Sequence, residues 1–324
     1  MIGKKSTMEI PVYLFLGFLE GGKTTFIQET LEEDYFNDGQ RTLIIACEEG
    51  LEEYDDDLLQ RTGCKIEYVE EPEDFTAEFL NAKIVEHFPD RVIVEYNGMW
   101  SLEDLFTAMD ETPLRVFQTI MNMDATTFDL YMNNMRSLAV EMFKMAELVV
   151  INRCTKDSPR GTWRRSIKAV NRQAQVVFDA LNPEDLGEEE EELPFDITGD
   201  TIHLEDEDYG IWFVDAMERP EVYDGKTIEM TVRVFKSLRM PKGIFVPGRH
   251  AMTCCADDIQ FIGYICHMNH AKSSTIKSVK NKMWIRLTAQ IRKEYDDNYK
   301  DEGPVLYAQR IEAAQMPEEE LVYF

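Results

Sequence analysis

The sequence is poor in cysteine and in basic residues, and each shortage excludes something. Six cysteines occur in 324 residues, at positions 47, 64, 154, 254, 255 and 266. That number and spacing exclude a secreted disulfide scaffold, so reduced thiols in a cytoplasmic protein are expected. No apolar run is long enough to cross a bilayer. Lys4 and Lys5 precede the apolar stretch Pro11 to Leu19 in a signal-peptide-like manner, but no small-x-small cleavage site follows, and the stretch reads as a buried strand. Basic residues number 34 against 62 acidic ones, a formal charge of −28. A field of that sign repels phosphate polyanions and anionic lipid, which argues against nucleic-acid partners and membrane insertion.

What is present divides the chain. Hydrophobic residues make up 44% of it, enough to bury the cores of roughly one to three domains. Residues 219 to 324 hold 16 Lys and Arg against 14 Asp and Glu, or +2, which leaves −30 on residues 1 to 218. From residue 10 to about 180, short β-rich runs alternate with helical stretches: Val12 to Leu16, Thr42 to Ala46, Lys65 to Val69, Arg91 to Glu95, Phe117 to Met123, Leu148 to Asn152 and Gln175 to Phe178. The alternation predicts an α/β domain over residues 1–181 with a mostly parallel sheet, and the runs are apolar on both faces because helices cover both sides. Phe128 to Met145 reads as one amphipathic helix. Residues 182–218, with Glu188 to Glu192 and a second acidic cluster at Glu205 to Asp208, read as an acidic linker. Beyond it, Thr227 to Phe235, Phe245 to Cys255, Ile259 to Cys266, Trp284 to Ile291 and Val305 to Ala313 read as five strands, with a lysine-rich segment from Ala271 to Lys282 after the third. That order predicts a small OB-like β-barrel over 219–324.

The sharpest motif is Gly17-Phe18-Leu19-Glu20-Gly21-Gly22-Lys23-Thr24, which satisfies G-x-x-x-x-G-K-[ST] between an apolar strand and a helix. In such a P-loop, glycines let backbone N–H groups turn inward onto phosphate oxygens, and the positive end of the following helix adds to the attraction. Lys23 would neutralise the β- and γ-phosphates, and the Thr24 hydroxyl would coordinate Mg²⁺. Glu20 is out of character, a carboxylate placed in a phosphate cradle.

With Thr25, this segment resembles the G-F-L-G-A-G-K-T-T signature of the CobW-type GTPases, relatives of the UreG and HypB metallochaperones. Later segments follow the same order. Glu48, Gly50 and Asp55 take the places of the family's first switch, Glu95 and Gly98 those of its I-E-T-x-G segment, Asp124 its V-D-A position, Asn152-Arg153 the start of N-K-x-D, and Val170 to Ala174 its L-N-P-x-A. The resemblance implies a Mg²⁺-dependent GTPase that binds nucleotide through Gly17, Glu20, Gly21, Gly22, Lys23, Thr24, Thr25, Gly98, Asn152 and Arg153. Lys23, Thr24, Glu48 and Glu95 would be catalytic, with Thr24, Glu48 and Glu95 around Mg²⁺.

Three departures qualify it. Thr155 stands where the guanine-reading Asp belongs, and a hydroxyl cannot accept two hydrogen bonds side by side as a carboxylate does. Asp157 is a substitute if the loop is longer, and ATP remains an alternative to GTP. The family's C-x-C-C is reduced to Cys64, beside Lys65, Ile66 and Glu67, so Zn²⁺ or another transition metal has one inherited thiolate. Tyr96-Asn97 and Met99-Trp100 alter the second switch, consistent with slow turnover or binding without hydrolysis.

Tyr223-Asp224-Gly225-Lys226, Cys254-Cys255-Ala256-Asp257, Trp284 and Gly303-Pro304 resemble a bacterial domain found in small proteins encoded beside a predicted permease. This implies a permease-associated or metalloprotein partner. Cys254 and Cys255 are candidate metal ligands, and His250 with Cys266 is a candidate same-face pair. A nucleotide-binding regulatory module with negligible hydrolysis is the first alternative, and Lys272, Lys277, Lys280, Lys282 and Arg286 near Trp284 offer the second, an OB-fold nucleic-acid binder driven by an ATPase.

Overall fold

The computed structural model describes residues 9–34, 36, 39–48, 50–186, 193–237, 240–252, 259–268, 279–296 and 300–322. It separates into two compact units, the described residues of Met1–Arg160 with Val170–Glu189, and those of Gly161–Ala169 with Glu190–Phe324. In chain order the elements up to the acidic run are β1 (Ile10–Leu16), α1 (Lys23–Glu32), β2 (Thr42–Ala46), α2 (Asp56–Thr62), β3 (Lys65–Tyr68), α3 (Ala77–His87), β4 (Arg91–Glu95), α4 (Leu102–Asp110), β5 (Leu114–Asp124), α5 (Phe128–Asn134), α6 (Arg136–Met145), β6 (Leu148–Asn152), α7 (Arg160–Val170) and β7 (Gln175–Phe178).

The seven strands form one sheet in the order β3-β2-β4-β1-β5-β6-β7, and every pairing is parallel. All five residues of β2 and of β4 are buried, as strands covered on both faces must be. Phe15, Ile44, Ile93 and Val150 from the sheet pack with Ile27 and Leu31 of α1 and with Leu58 and Leu59 of α2. The single helix expected over Phe128 to Met145 is two. Met135 breaks it with φ −133 and ψ 33, so α5 ends at Asn134 and α6 starts at Arg136.

Helix ends explain where the unit keeps its reactive edge. Asp55 accepts a hydrogen bond from the Asp57 N–H, Thr76 from Phe79 and Ser101 from Asp104, so α2, α3 and α4 are capped by side chains. Helix α1 has no side-chain cap and no acidic residue in its first turn. Its first N–H groups are left for another acceptor, at the carboxyl end of the parallel strands.

The second unit contains β8 (Thr201–His203), α8 (Tyr209–Glu218), α9 (Pro220–Tyr223), β9 (Thr227–Phe235), β10 (Ile244–Ala251), β11 (Gln260–Gly263), β12 (Cys266–His267), β13 (Trp284–Asp296), β14 (Asp301–Ala313) and β15 (Leu321–Val322). Pairings β9–β10, β10–β12, β12–β14, β14–β13 and β13–β9 close a five-stranded barrel. Burial alternates along β9, sending Ile228, Met230, Val232 and Val234 inward, and along β13, sending Ile285, Leu287, Ala289 and Ile291 inward. A register shift at Thr288/Ala289 bends the long β13–β14 ribbon, as bulges do where a barrel curves. The OB-like barrel expected from the strand pattern is present. Of the lysine-rich segment after its third strand, residues 271–278 lie outside the described residues.

One expectation is corrected. The stretch 182–218 is not only a linker: β8 pairs in parallel with β9, and α8 buries Tyr209, Trp212 and Ala216 in the barrel unit's core with Ile202 and Leu204. Its acidic residues are concentrated before and between these elements, while the apolar ones carry the packing.

Candidate phosphate-binding site

The loop from Gly17 to Gly22 lies between β1 and α1. Gly22 has φ +89, and a Cβ there would stand 2.2 Å from Nδ2 of Asn152, so both the turn and its neighbour require glycine. Gly98, after β4, packs against the same loop, where a Cβ would meet the Gly17 carbonyl oxygen at 2.3 Å. Gly17, Gly21, Gly22 and Gly98 are thus brought together as expected positions of one cradle.

Lys23 is 3% exposed. Its Nζ donates to the carbonyl oxygens of Gly17 and Phe18, each at 2.9 Å, and ion-pairs with Oε2 of Glu48. Burial pushes the Glu48 carboxyl above its ordinary value, and Lys23 pulls it back. The Thr24 hydroxyl donates to Oε1 of Glu95 at 2.7 Å, and the Tyr54 hydroxyl to Oε2 at 2.6 Å. Burial, followed by the Glu95 charge, raises the Tyr54 hydroxyl well above its usual range, so it stays a donor. Lys23, Thr24, Glu48 and Glu95, chosen from distant parts of the sequence, therefore meet at one place. Tyr54 completes the arrangement and carries no motif of its own. Thr25 lines the same cavity, whose volume of about 20 Å³ holds little more than a water because Lys23 and Glu48 fill it.

Glu20 adopts φ +60, a left-handed conformation uncommon for a residue with a side chain. Its carboxylate accepts the Leu51 N–H at 2.7 Å, tying the loop to the segment after Glu48. Its carbonyl accepts from Arg153 at 3.0 Å. Arg153 also pairs with Asp124, whose carboxyl is held below its usual value by hydrogen bonds from Thr126 and Arg153 despite partial burial. Asn152 donates from Nδ2 to the Gly21 carbonyl at 2.8 Å. Asn152 and Arg153 thus brace the phosphate loop. Asp55 sits as the cap of α2 and receives no role beyond it.

Of the expected soft-metal ligands, Cys64 is among the described residues, and it joins no group of metal-ligating side chains there. Cys64 is buried in the core with Leu58 and Leu59, and its sulfur accepts from the Thr62 hydroxyl at 3.2 Å. Cys254 and Cys255 lie outside the described residues. His250 and Cys266 do not form a pair: Cys266 is in register with Phe245, five residues away along β10, or about 17 Å at the rise of a strand. Cys266 is fully buried, which pushes its thiol up and away from metal-binding thiolate. Among the described residues, the group that could converge on an ion is Glu67, Glu86 and His87, and Lys83 already pairs with Glu67 there at 2.9 Å.

A parallel sheet, a glycine cradle, a lysine held on that cradle's carbonyls and an uncapped helix together define a P-loop nucleotide-binding protein. The family model of the CobW/HypB/UreG nucleotide-binding domain matches residues 11–178, and the chain belongs to that family. The model of the DUF1980 C-terminal domain matches residues 182–324. No curated protein sequence matches the chain. Among solved structures, the hydrogenase maturation factor HypB from Archaeoglobus fulgidus is similar at 17% identity over 53% of this chain and 81% of that one, with a TM-score of 0.39. Zn(II)-bound YjiA GTPase from E. coli is similar at 21% identity over 55% and 61%, with a TM-score of 0.42. HypB from Helicobacter pylori in complex with nickel is similar at 14% identity over 55% and 83%, with a TM-score of 0.36.

Proposed function

We propose that the first unit is a Mg²⁺-dependent nucleoside triphosphatase that favours GTP, and that its nucleotide state gates an interaction of the barrel unit with a metal-handling or permease-associated partner. The observation that carries the nucleotide part is Lys23 held on the Gly17 and Phe18 carbonyls beside the uncapped start of α1. A triphosphate replaces Glu48 as the partner of Lys23 and receives the free N–H groups of the helix. The Thr24 hydroxyl and the Glu48 and Glu95 carboxylates are hard oxygen donors at the same edge, a set that suits Mg²⁺, which would offset phosphate charge there. The membership in the CobW/HypB/UreG family supports the metal-handling part, and the match of the second unit to a DUF1980 C-terminal domain supports a partner tied to that domain.

A second reading, nucleotide binding with negligible turnover, is favoured by the closed Lys23–Glu48 pair, which must open before phosphate enters. No described helix is long and apolar enough to cross a membrane, and four of the cysteines are free and buried, which supports a reducing, cytoplasmic setting.

Titration calorimetry of the full chain with Mg²⁺ tests the central claim. GTP and ATP are expected to bind, and Lys23→Ala is expected to weaken both by about 100-fold or more, the loss of a charge-assisted contact to phosphate. Binding of neither nucleotide, or a Lys23→Ala chain that binds as the wild type does, overturns it.

A further inference from the structure

Thr155 leaves the base without its expected reader, and the cavity beside the phosphate loop shows what stands there instead. This cavity, of about 470 Å³, shares Gly22, Thr25 and Arg153 with the phosphate site and extends to the ends of β6 and β7. That volume is in the range of pockets that enclose a small organic ligand. Phe26, Val150, Val177 and Leu181 give it apolar walls suited to the flat faces of a purine. Its polar edge includes Asn152 and Asp179, while neither Thr155 nor Asp157 lines it. The Thr155 N–H is instead engaged by the Ser158 hydroxyl at 2.9 Å.

We propose that Asp179, on the residue after β7, is the specificity-determining carboxylate of the nucleotide site and selects guanine over adenine. The proposal rests on the reading of this unit as a nucleotide binder. Asp179 is fixed at the right place by its backbone: its N–H donates to Ile151 O and its carbonyl accepts from Cys154 N–H, both at 2.9 Å. Those two bonds straddle Asn152-Arg153, so the end of β7 is locked alongside the loop that braces the phosphate cradle. The side chain is exposed, and among the described residues it has no ion-pair or hydrogen-bond partner, so its oxygens are available to a ligand.

The chemistry then discriminates. A carboxylate only accepts, and guanine presents the N1–H and N2–H donors side by side, so two charge-assisted bonds form. Adenine offers one amino donor next to an N1 acceptor, which gives one bond at most and sets a lone pair against the carboxylate. A bidentate contact of this kind discriminates by roughly 10- to 100-fold. Asp179 took no part in any motif, because it lies 24 residues beyond Thr155 in the sequence and is brought back only by the parallel pairing of β6 and β7.

Calorimetry of the full chain with Mg²⁺ and GTP, ATP or xanthosine triphosphate tests this on wild type, Asp179→Asn, Glu29→Gln and Lys23→Ala. Xanthine carries an oxygen in place of the guanine 2-amino group, so an amide at position 179 accepts from its N1–H and donates to that oxygen. The wild type is expected to prefer GTP. Asp179→Asn is expected to lose roughly 10- to 100-fold in GTP affinity, to gain tenfold or more for xanthosine triphosphate and to leave ATP unchanged. The gain is a result that a misfolded variant cannot give. Unchanged GTP affinity in Asp179→Asn overturns the proposal, as does a wild type that prefers ATP, or a preference that moves with Glu29→Gln, the other carboxylate in the wall. In each of those cases, loss of all nucleotides by Lys23→Ala leaves the nucleotide-binding reading standing, whereas a chain that binds no nucleotide removes both.

Discussion

Two buried ion sites, one in each unit, are held in opposite ways. In the barrel unit, Arg249 is 1% exposed and every part of its guanidinium is met by the protein: the Glu319 and Glu320 carbonyls, the Thr231 carbonyl, the Asp206 carboxylate and the face of Trp284. Asp215, equally buried, takes two bonds from Arg219 and one from the Tyr223 hydroxyl. In the parallel-sheet unit, Lys23 is buried and Glu48 partly so, and the pair lies against an opening, next to helix N–H groups with no side-chain cap. A buried charge whose partners are all fixed is part of a scaffold, whereas one whose partner can be exchanged for a ligand is part of a site.

Removing one member of each arrangement should separate the two. The largest effect is expected for Arg249→Ala, which strands buried carbonyls and should lower the stability of the barrel unit by about 3 kcal/mol, measured by denaturant unfolding. A change within about 0.5 kcal/mol would mean that this charge is no scaffold and would break the contrast. Next in size is Glu48→Gln. It frees Lys23, so nucleotide added with a chelator should bind about tenfold tighter, and restoring Mg²⁺ should cancel part of the gain because a metal ligand has been weakened. Weaker binding in both conditions would show that Glu48 supports the cradle and does not compete for it.

The smallest effect belongs to a surface pair. Arg41 makes a bidentate contact with Asp90 and holds its carboxyl down to about 2, by side-chain and backbone hydrogen bonds. A carboxyl lowered in the folded state adds stability above its unfolded value, and that addition disappears as pH falls to about 2. Asp90→Asn should therefore depress Tm slightly at neutral pH, with the difference from wild type closing between about pH 4 and pH 2. A difference that persists at pH 2 would assign the effect to packing.

The sequence pattern made much of the sheet legible because its strands recur as short β-rich runs between helical stretches: Thr42–Ala46, Arg91–Glu95, Leu148–Asn152 and Gln175–Phe178 stand where alternation placed them. Glycine and lysine of the cradle were legible too, since the loop's chemistry demands them at fixed spacing. What escaped was carried by geometry that spacing does not encode. Tyr54 is a tyrosine in an acidic stretch until folding sets its hydroxyl on Glu95. Trp212 and Leu204 were hidden by the charge count of their neighbours, although a buried helix needs only its own apolar face. Glu20 looked misplaced in a phosphate cradle because its left-handed backbone, which turns the carboxylate onto Leu51, is invisible in a motif.

The barrel closes through its shortest strand. Among the described residues, Cys266 and His267 make the ladder pairs that join β10 on one side to β14 on the other, flanked by single bonds from Leu306 N–H to Ile265 O and from Met268 N–H to Gly243 O, whereas β13 and β14 run together for thirteen residues each. A seam of two residues is the least costly place for a cylinder to open, so amide protons there should exchange with solvent well before those of the β13–β14 ribbon.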